Sequence, residues 1–431
     1  MLLTEDERMN IRSMYLDNFR CFKNLDIAFD DRLTVLVGAN GSGKTAILDA
    51  LILFLKWAWL YRSNKGSACY INSSDITIGY KPEDVKYHLQ VLSKVDPYNG
   101  VAQIDCVFDN GGRGIFLSKN QMVFKAIEKV VTNKSAVFAA YMAGRFVSEK
   151  DFILTDNNHN SFTFDDYGNS FARTIDYAST LSWFDKADAD EARTMRDNGK
   201  KDELPELKAV REALSKALLG KYVRPRMQGN PPELIIYEKD TGEPYKVGQL
   251  SDGYRAMLAL VMDLARRMAQ SRSDDYGTFV SLLTTPAIVL IDEIELHLHP
   301  SWQQTVLTTL MDIFPNTQFI VTTHSPQVLT SIPPRHIRIL NDGEAYTYSE
   351  QTEGAEASRL LKRVFGVEQR PANLEIVEAL KEYRELVYSE QWGTPKAEEL
   401  KKKLADHYSS DDPELMELEL HIENRKWESG L

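Results

Sequence analysis

Leu33-Thr34-Val35-Leu36-Val37 runs directly into Gly38-Ala39-Asn40-Gly41-Ser42-Gly43-Lys44-Thr45, and a mostly apolar stretch, Ala46 to Leu60, follows. A continuous apolar run of this kind reads as a strand in the middle of a covered sheet. The glycines that follow permit a turn tight enough for backbone N–H groups to curl around a phosphate at a helix N-terminus. The loop fits GxxxxGK[ST] in full, with the strand before it and the helix after it that this motif requires. Lys44 is placed to reach the β- and γ-phosphates of a nucleotide, and the Thr45 hydroxyl to hold Mg²⁺. The helix from Lys44 to about Tyr61 is apolar on nearly every face and should be buried.

Two further segments have the same layout, a buried strand that ends in polar groups. Ala287-Ile288-Val289-Leu290-Ile291 delivers Asp292 and Glu293 to a C-terminal strand end, the edge where open α/β sheets bind ligands. Asp292 suits the Mg²⁺ shell and Glu293 suits the base that polarises an attacking water. Gln318-Phe319-Ile320-Val321-Thr322-Thr323 leads to His324 and Ser325. Taken alone, His324 fits a structural role as well as contact with a γ-phosphate or its attacking water.

Away from these segments the reading is coarser. Short strands are expected over residues 11–38 and 101–125, and Asn341-Asp342-Gly343 marks a hairpin between HIRIL and EAYTY. An amphipathic helix is expected over 203–219, and another over 253–270 after Ser251-Asp252-Gly253. Between about 135 and 240 the pattern is irregular or helical. Beyond about 354 the chain becomes helical and charged, with Thr394-Pro395 and Asp412-Pro413 as helix starts.

Composition narrows the function classes. Hydrophobic residues at 43% and charged residues at 26% are ordinary for a soluble globular protein. The formal net charge of −12 argues against a protein that coats duplex DNA through its phosphates. Cys21, Cys69 and Cys106 lack metal-ligand spacing and suit a reducing cytoplasm. The N-terminus shows no signal-peptide core, and Ala46–Leu60 is broken by Asp49 and Lys56 and too short to span a bilayer. A cytoplasmic location without membrane contact is expected.

Together the segments resemble the ABC-type ATPases, and among them the SMC-like soluble branch. Leu250-Ser251-Asp252-Gly253-Tyr254-Arg255 looks like that family's LSGGQ signature opening a helix, with Asp252 in place of a glycine and Tyr254 in place of the glutamine. The order in the chain matches: phosphate loop, signature, acidic strand, His strand. Asn18-Phe19-Arg20 with Phe22 is similar to the opening strand of SMC-like heads. The resemblance implies an α/β P-loop ATPase head, a mixed sheet with an antiparallel lobe. It also implies ATP and Mg²⁺ as cofactors and nucleotide sandwiched between two copies of the chain. One copy would supply Gly38, Asn40, Gly41, Ser42, Gly43, Lys44 and Thr45 to the phosphates, with Thr45 and Asp292 on the metal. Glu293 and His324 would act in hydrolysis, Arg20 would approach the phosphates, and the partner copy would supply Ser251 and Gly253. The family's glutamine loop has three candidate positions, Asp75-Ile76, Gln90 and Gln103.

Four branches compete. A transporter subunit is disfavoured by the long separation of Lys44 from Ser251. SMC or RecF-like repair ATPases with a long coiled coil need sustained heptads, which are missing. An overcoming-lysogenisation-defect type nuclease needs a Toprim domain, for which 350–431 is short. Glu295-Leu296-His297-Leu298-His299-Pro300-Ser301-Trp302-Gln303-Gln304, Phe314-Pro315-Asn316 and Thr322 to Gln327 are most similar to the anti-phage ATPases of the Septu and retron-associated, PtuA-like type. That resemblance implies a homodimer or larger assembly whose nucleotide state gates a separate HNH-type nuclease, with nucleic acid reached through the complex. The expected domains are an ATPase head over 1–350, with a helical or irregular insertion near 135–240, and a helical C-terminal region over 351–431 for assembly or partner binding. His297-x-His299 beside the acids also invites a metal reading. Helix 413–424 invites docking of a basic partner, and Arg224 and Arg226 contact with nucleic acid; each has a plain structural alternative.

Overall fold

The computed structural model describes residues 9–62, 68–70, 80–93, 100–108, 113–118, 137–143, 177–198, 203–271, 282–409 and 411–429. Strands β1 (Met9–Phe19), β2 (Phe22–Ala28) and β3 (Leu33–Gly38) lead into the helix Lys44–Arg62. β4 (Ala68–Tyr70), β5 (Lys86–Ser93), β6 (Gly100–Phe108), β7 (Arg113–Ser118) and β8 (Val137–Tyr141) follow. After the helices Tyr177–Asn198 and Pro205–Ala217 come β9 (Tyr222–Gln228), β10 (Glu233–Glu238) and β11 (Pro244–Lys246). The helix Asp252–Ser271 precedes β12 (Ala287–Ile291), β13 (Thr317–Thr322), β14 (Ile337–Asn341) and β15 (Glu344–Thr347).

The central sheet has the order β15-β14-β3-β13-β12-β8. Its four inner pairings run parallel from β14 to β8, and only β15 is antiparallel. All residues of β3, β8, β12 and β13 are buried, as strands covered on both faces are. A second sheet, β2-β1-β5-β6-β7-β4, is antiparallel, and a small third one has the order β11-β10-β9. Ile47, Leu51 and Phe54 of the helix after the phosphate loop share one core with Leu36, Leu290 and Ile320 of the central sheet. Met14, Leu16 and Leu89 of the antiparallel sheet complete that core. The mixed α/β architecture with an antiparallel lobe is therefore present.

The segment expected to be helical or irregular between 135 and 240 needs correction at both ends. Val137–Tyr141 is a strand of the central sheet, paired in register with β12. Its five residues are too few to show a helical or alternating period, so the apolar run alone did not reveal it. Residues 222–246 form the small antiparallel sheet. Pro225 argues against a strand in the sequence, yet β9 is an edge strand, where a missing N–H costs nothing. The helices Tyr177–Asn198 and Pro205–Ala217 lie between.

The chain divides into two units, Met1–Leu360 and Leu361–Leu431. The second has its own core of Leu380, Tyr383, Val387, Leu404, Leu418 and Ile422, contributed by three helices, Glu375–Tyr388, Pro395–His407 and Pro413–Ser429. Thr394 accepts from the Ala397 N–H, and Asp412 from those of Glu414 and Leu415, as N-caps do.

Gln318 joins the two large sheets. It is fully buried on β13; its Oε1 accepts the Ile11 N–H at 2.8 Å, and its Nε2 donates to the Ile11 and Asp30 carbonyls, each at 2.8 Å. The pairing of β1 with β2 starts at Ser13, so the side chain takes over the ladder just where that pairing stops. Gln318→Leu keeps the volume but strands these groups, and an unsatisfied buried group costs ~1–3 kcal/mol. The variant should lose about 3 kcal/mol of stability in denaturant titration, and an unchanged midpoint would refute this account.

Candidate functional site

The parallel register brings three strand ends together. β3 ends at Gly38, β13 at Thr322 and β12 at Ile291, and the loops that follow carry the polar residues. In the phosphate loop Gly43 has φ +96°, and a Cβ there would overlap the Phe22 ring, so glycine is required for both conformation and space. Lys44 is buried, and its Nζ folds back onto the loop, donating to the Gly38 carbonyl at 2.8 Å and that of Ala39 at 2.9 Å. Burial pushes its amine below the ordinary value, while the carboxylates of Asp292, Glu293 and Glu295 pull it back up. An anion in the loop would give this cation a partner.

Asp292 is the hub. Thr45 Oγ1 donates to its carboxylate at 3.2 and 3.4 Å, and Thr322 Oγ1 donates to Oδ1 at 2.6 Å. The backbone N–H of Asp292 donates to the Tyr141 carbonyl at the end of β8, at 2.8 Å. Thr322 Oγ1 also accepts the Glu293 N–H at 2.7 Å, so one hydroxyl sets both acids. Glu293 itself sits at φ +49°, a conformation that non-glycine residues hold only when neighbours enforce it.

Glu295 performs the same service for the His strand. Its Oε1 accepts the His324 N–H at 2.6 Å and its Oε2 the Thr323 hydroxyl at 2.7 Å. Ser325 Oγ donates to Gln303 Oε1 at 2.6 Å, closing the loop from the other side. Thr322 and Glu295 were not assigned roles from the sequence; the polar cluster TTHS at a strand end was the available signal.

The residues fit a nucleotide with Mg²⁺. Ser42 Oγ is buried and finds no hydrogen-bond partner among the described residues, as a group awaiting a phosphate would. A hydroxyl and a carboxylate, Thr45 and Asp292, are the hard oxygen donors that Mg²⁺ prefers.

Other expected site residues are placed differently. Arg20, at φ +52°, forms an ion pair with Asp49 on the helix that the phosphate loop opens. Ser251 is exposed immediately before the helix Asp252–Ser271, whose first turn Arg255 staples by donating to the Gly248 and Leu250 carbonyls at 2.8 and 3.0 Å. A Cβ on Gly253 would stand 2.7 Å from the His297 carbonyl oxygen, so the signature glycine admits the turn that follows the acidic strand. His299 caps a short helix, accepting from the Ser301 N–H at 3.4 Å, and no group of three or more metal-ligating side chains occurs among the described residues. Gln90 and Gln103 face each other across β5 and β6 in the antiparallel sheet. The third candidate, Asp75-Ile76, lies outside the described residues. Arg224 and Arg226 lie on edge strand β9.

Residues 9–174 match the family described as AAA ATPase domain, and 142–330 match "AAA domain, putative AbiEii toxin, Type IV TA system". The retron Ec83 probable ATPase of Escherichia coli is 28% identical over 98% of this chain and 88% of its own length. This chain is a homologue of the retron and Septu ATPases. The Septu protein PtuA of Bacillus thuringiensis is 23% identical, over 86% of this chain and 88% of that protein. An SMC head solved with the C-terminal winged-helix domain of ScpA is a structural neighbour at TM-score 0.46 and 18% identity, covering 79% of this chain and 98% of that one. The family models and these homologues make the chain an ATPase. No helix among its described residues is long and apolar enough to cross a membrane.

Thr322→Val tests the hub, since it keeps the shape and removes the hydroxyl shared by Asp292 and Glu293. Phosphate release should fall about 10- to 100-fold, as when a metal ligand loses its support. Metal-free ATP binding should stay within about twofold of wild type, because Thr322 supports the acids and not the loop. Wild-type turnover in this variant would remove Thr322 from the site.

Proposed function

We propose that the chain is the ATP-binding and ATP-hydrolysing regulatory subunit of an anti-phage defence complex, working as a homodimer with ATP between its heads. The observation that carries the ATPase part is the convergence of Lys44, Thr45, Asp292 and Glu293 through Thr322. The defence role rests on the retron and Septu relatives, whose alignments extend over most of both chains.

In this reading the phosphate-loop N–H groups cradle the β-phosphate and Lys44 leaves the Gly38 and Ala39 carbonyls for the β- and γ-phosphates. Mg²⁺, seated by Thr45 and Asp292, supplies neutralisation of the phosphate charge. Glu293 takes a proton from the attacking water, a step worth about 10²–10⁴ in rate. His324, held through its backbone by Glu295, contacts the water or the γ-phosphate.

Dimerisation is supported by the exposure of Ser251 at the start of a long helix. The N–H groups of a helix's first turn lack intrahelical partners and favour an anion. The γ-phosphate bound by the partner copy is that anion. Closure on ATP and opening after hydrolysis then give two states, and we assign nucleic-acid cleavage to an HNH-type nuclease gated by them. The unit Leu361–Leu431, with its own core, is the assembly region in this scheme.

The test uses two variants, each assayed alone and with any nuclease that co-purifies with the tagged wild-type chain from its native host. Glu293→Gln should bind ATP, turn it over about 100-fold more slowly or worse, and accumulate the dimer by sedimentation. A Glu293→Gln chain that stays monomeric with ATP would overturn the sandwich, and nuclease activity indifferent to ATP would overturn the gating. Lys44→Ala should weaken ATP binding about 10- to 100-fold, the loss of a charge-assisted hydrogen bond; unchanged affinity would remove the phosphate-loop assignment.

A further inference from the structure

The helix Asp252–Ser271 carries a buried charged cluster that the hydrolytic residues do not include. Asp263 is 1% exposed, and its carboxylate accepts from four groups. These are Arg266 Nη2 at 2.8 Å, Arg267 Nε at 2.6 Å, the Tyr141 hydroxyl at 2.9 Å and Thr180 Oγ1 at 3.2 Å. Burial alone would push the Asp263 carboxyl up, but Arg267 and Arg266 outweigh it and hold it well below the carboxylate range. Burial and the Asp263 charge push the Tyr141 phenol well above its ordinary value, so it remains a donor. Packing a helix on a sheet needs no ions, and apolar side chains of equal volume generally do it as well. A cluster of this kind gives instead a fixed geometry.

Tyr141 stands at the junction. It is the last residue of β8, opposite Ile291 in the ladder with β12, and its carbonyl receives the Asp292 N–H at 2.8 Å. Its side chain reaches the other way, to Asp263. From Asp263 the helix leads back to Ser251, about 18 Å along its axis at ~1.5 Å per residue. One residue thus holds the backbone of the acidic strand end with its main chain and the signature helix with its side chain.

We propose that Tyr141 is a positioning residue that couples the helix opened by Ser251 to the seat of Asp292, so that engagement of one nucleotide by Ser251 is felt at the other nucleotide's metal-binding acid. The inference rests on the nucleotide roles assigned to Asp292 and Ser251 above. It predicts that removing the phenol hydroxyl loosens Asp292 while the phosphate loop keeps its grip on ATP.

The experiment compares full-length wild type, Tyr141→Phe and Thr180→Val, the last removing another donor from the same carboxylate without touching Asp292. Two readouts are taken: hydrogen exchange of the peptide spanning residues 288–296, and the extra thermal stabilisation by ATP with Mg²⁺ over ATP alone, titrated with Mg²⁺. In Tyr141→Phe the peptide should exchange faster and the Mg²⁺ midpoint rise about tenfold, the size expected when support of a metal ligand is lost. Stabilisation by ATP alone should be unchanged, and Thr180→Val should follow wild type in both readouts. If Tyr141→Phe and Thr180→Val behave alike, the cluster is only structural and the coupling is refuted. If the wild type itself shows no added stabilisation by Mg²⁺, the nucleotide reading of Asp292 fails, and this inference with it.

Discussion

The parallel pairing of β3, β13 and β12 is the constraint on which the site depends. Parallel strands all leave the sheet at the same edge, so the loops after them must meet. The register Val321 with Val35, and Ile291 with Val321, sets how far each strand runs before it turns. With that offset Thr322 falls beside Asp292, and the phosphate loop opens next to both. A slip of one residue would turn Thr322 to the opposite face of the sheet. The full burial of β3, β12 and β13 makes such a slip costly, so the core holds the site in register.

The turn after the acidic strand is held by bonds from elsewhere in the chain. Glu293 and His297 both have left-handed backbone, at φ +49° and +65°. Each non-glycine residue in that region costs of order 1–3 kcal/mol. Thr322 holds the Glu293 N–H, Glu295 holds the His324 strand, and the turn itself lies against Gly253 of the signature helix. Two segments remote in sequence, the end of β13 and the start of the signature helix, therefore enforce one short conformation. This arrangement fixes the aim of the acids through the protein's own hydrogen bonds.

Burial also explains why the chain spends charged groups inside. Lys44 sits near three carboxylates, of which only Asp292 is buried, and Asp263 sits buried between two guanidiniums. An anion in the phosphate loop would complete the first set; the second is complete in itself. The C-terminal unit follows different rules, with capped amphipathic helices around a small apolar core and ion pairs mostly at the surface, where each contributes little.

The sequence by itself determined the phosphate loop, the two acids and the buried strands before them, because those features are local. A glycine pattern, an apolar run and its polar terminus are all written in consecutive residues. The helices that begin at Asp252, Pro395 and Pro413 were legible for the same reason, through caps and prolines. Tertiary structure decided that Val137–Tyr141 joins the central sheet, since five apolar residues carry no period that tells strand from helix. It also decided the parts played by Thr322, Glu295, Tyr141 and Asp263. Each acts through a hydrogen bond to a residue far along the chain, and no spacing in the sequence encodes which distant donor meets which acceptor once the strands have paired.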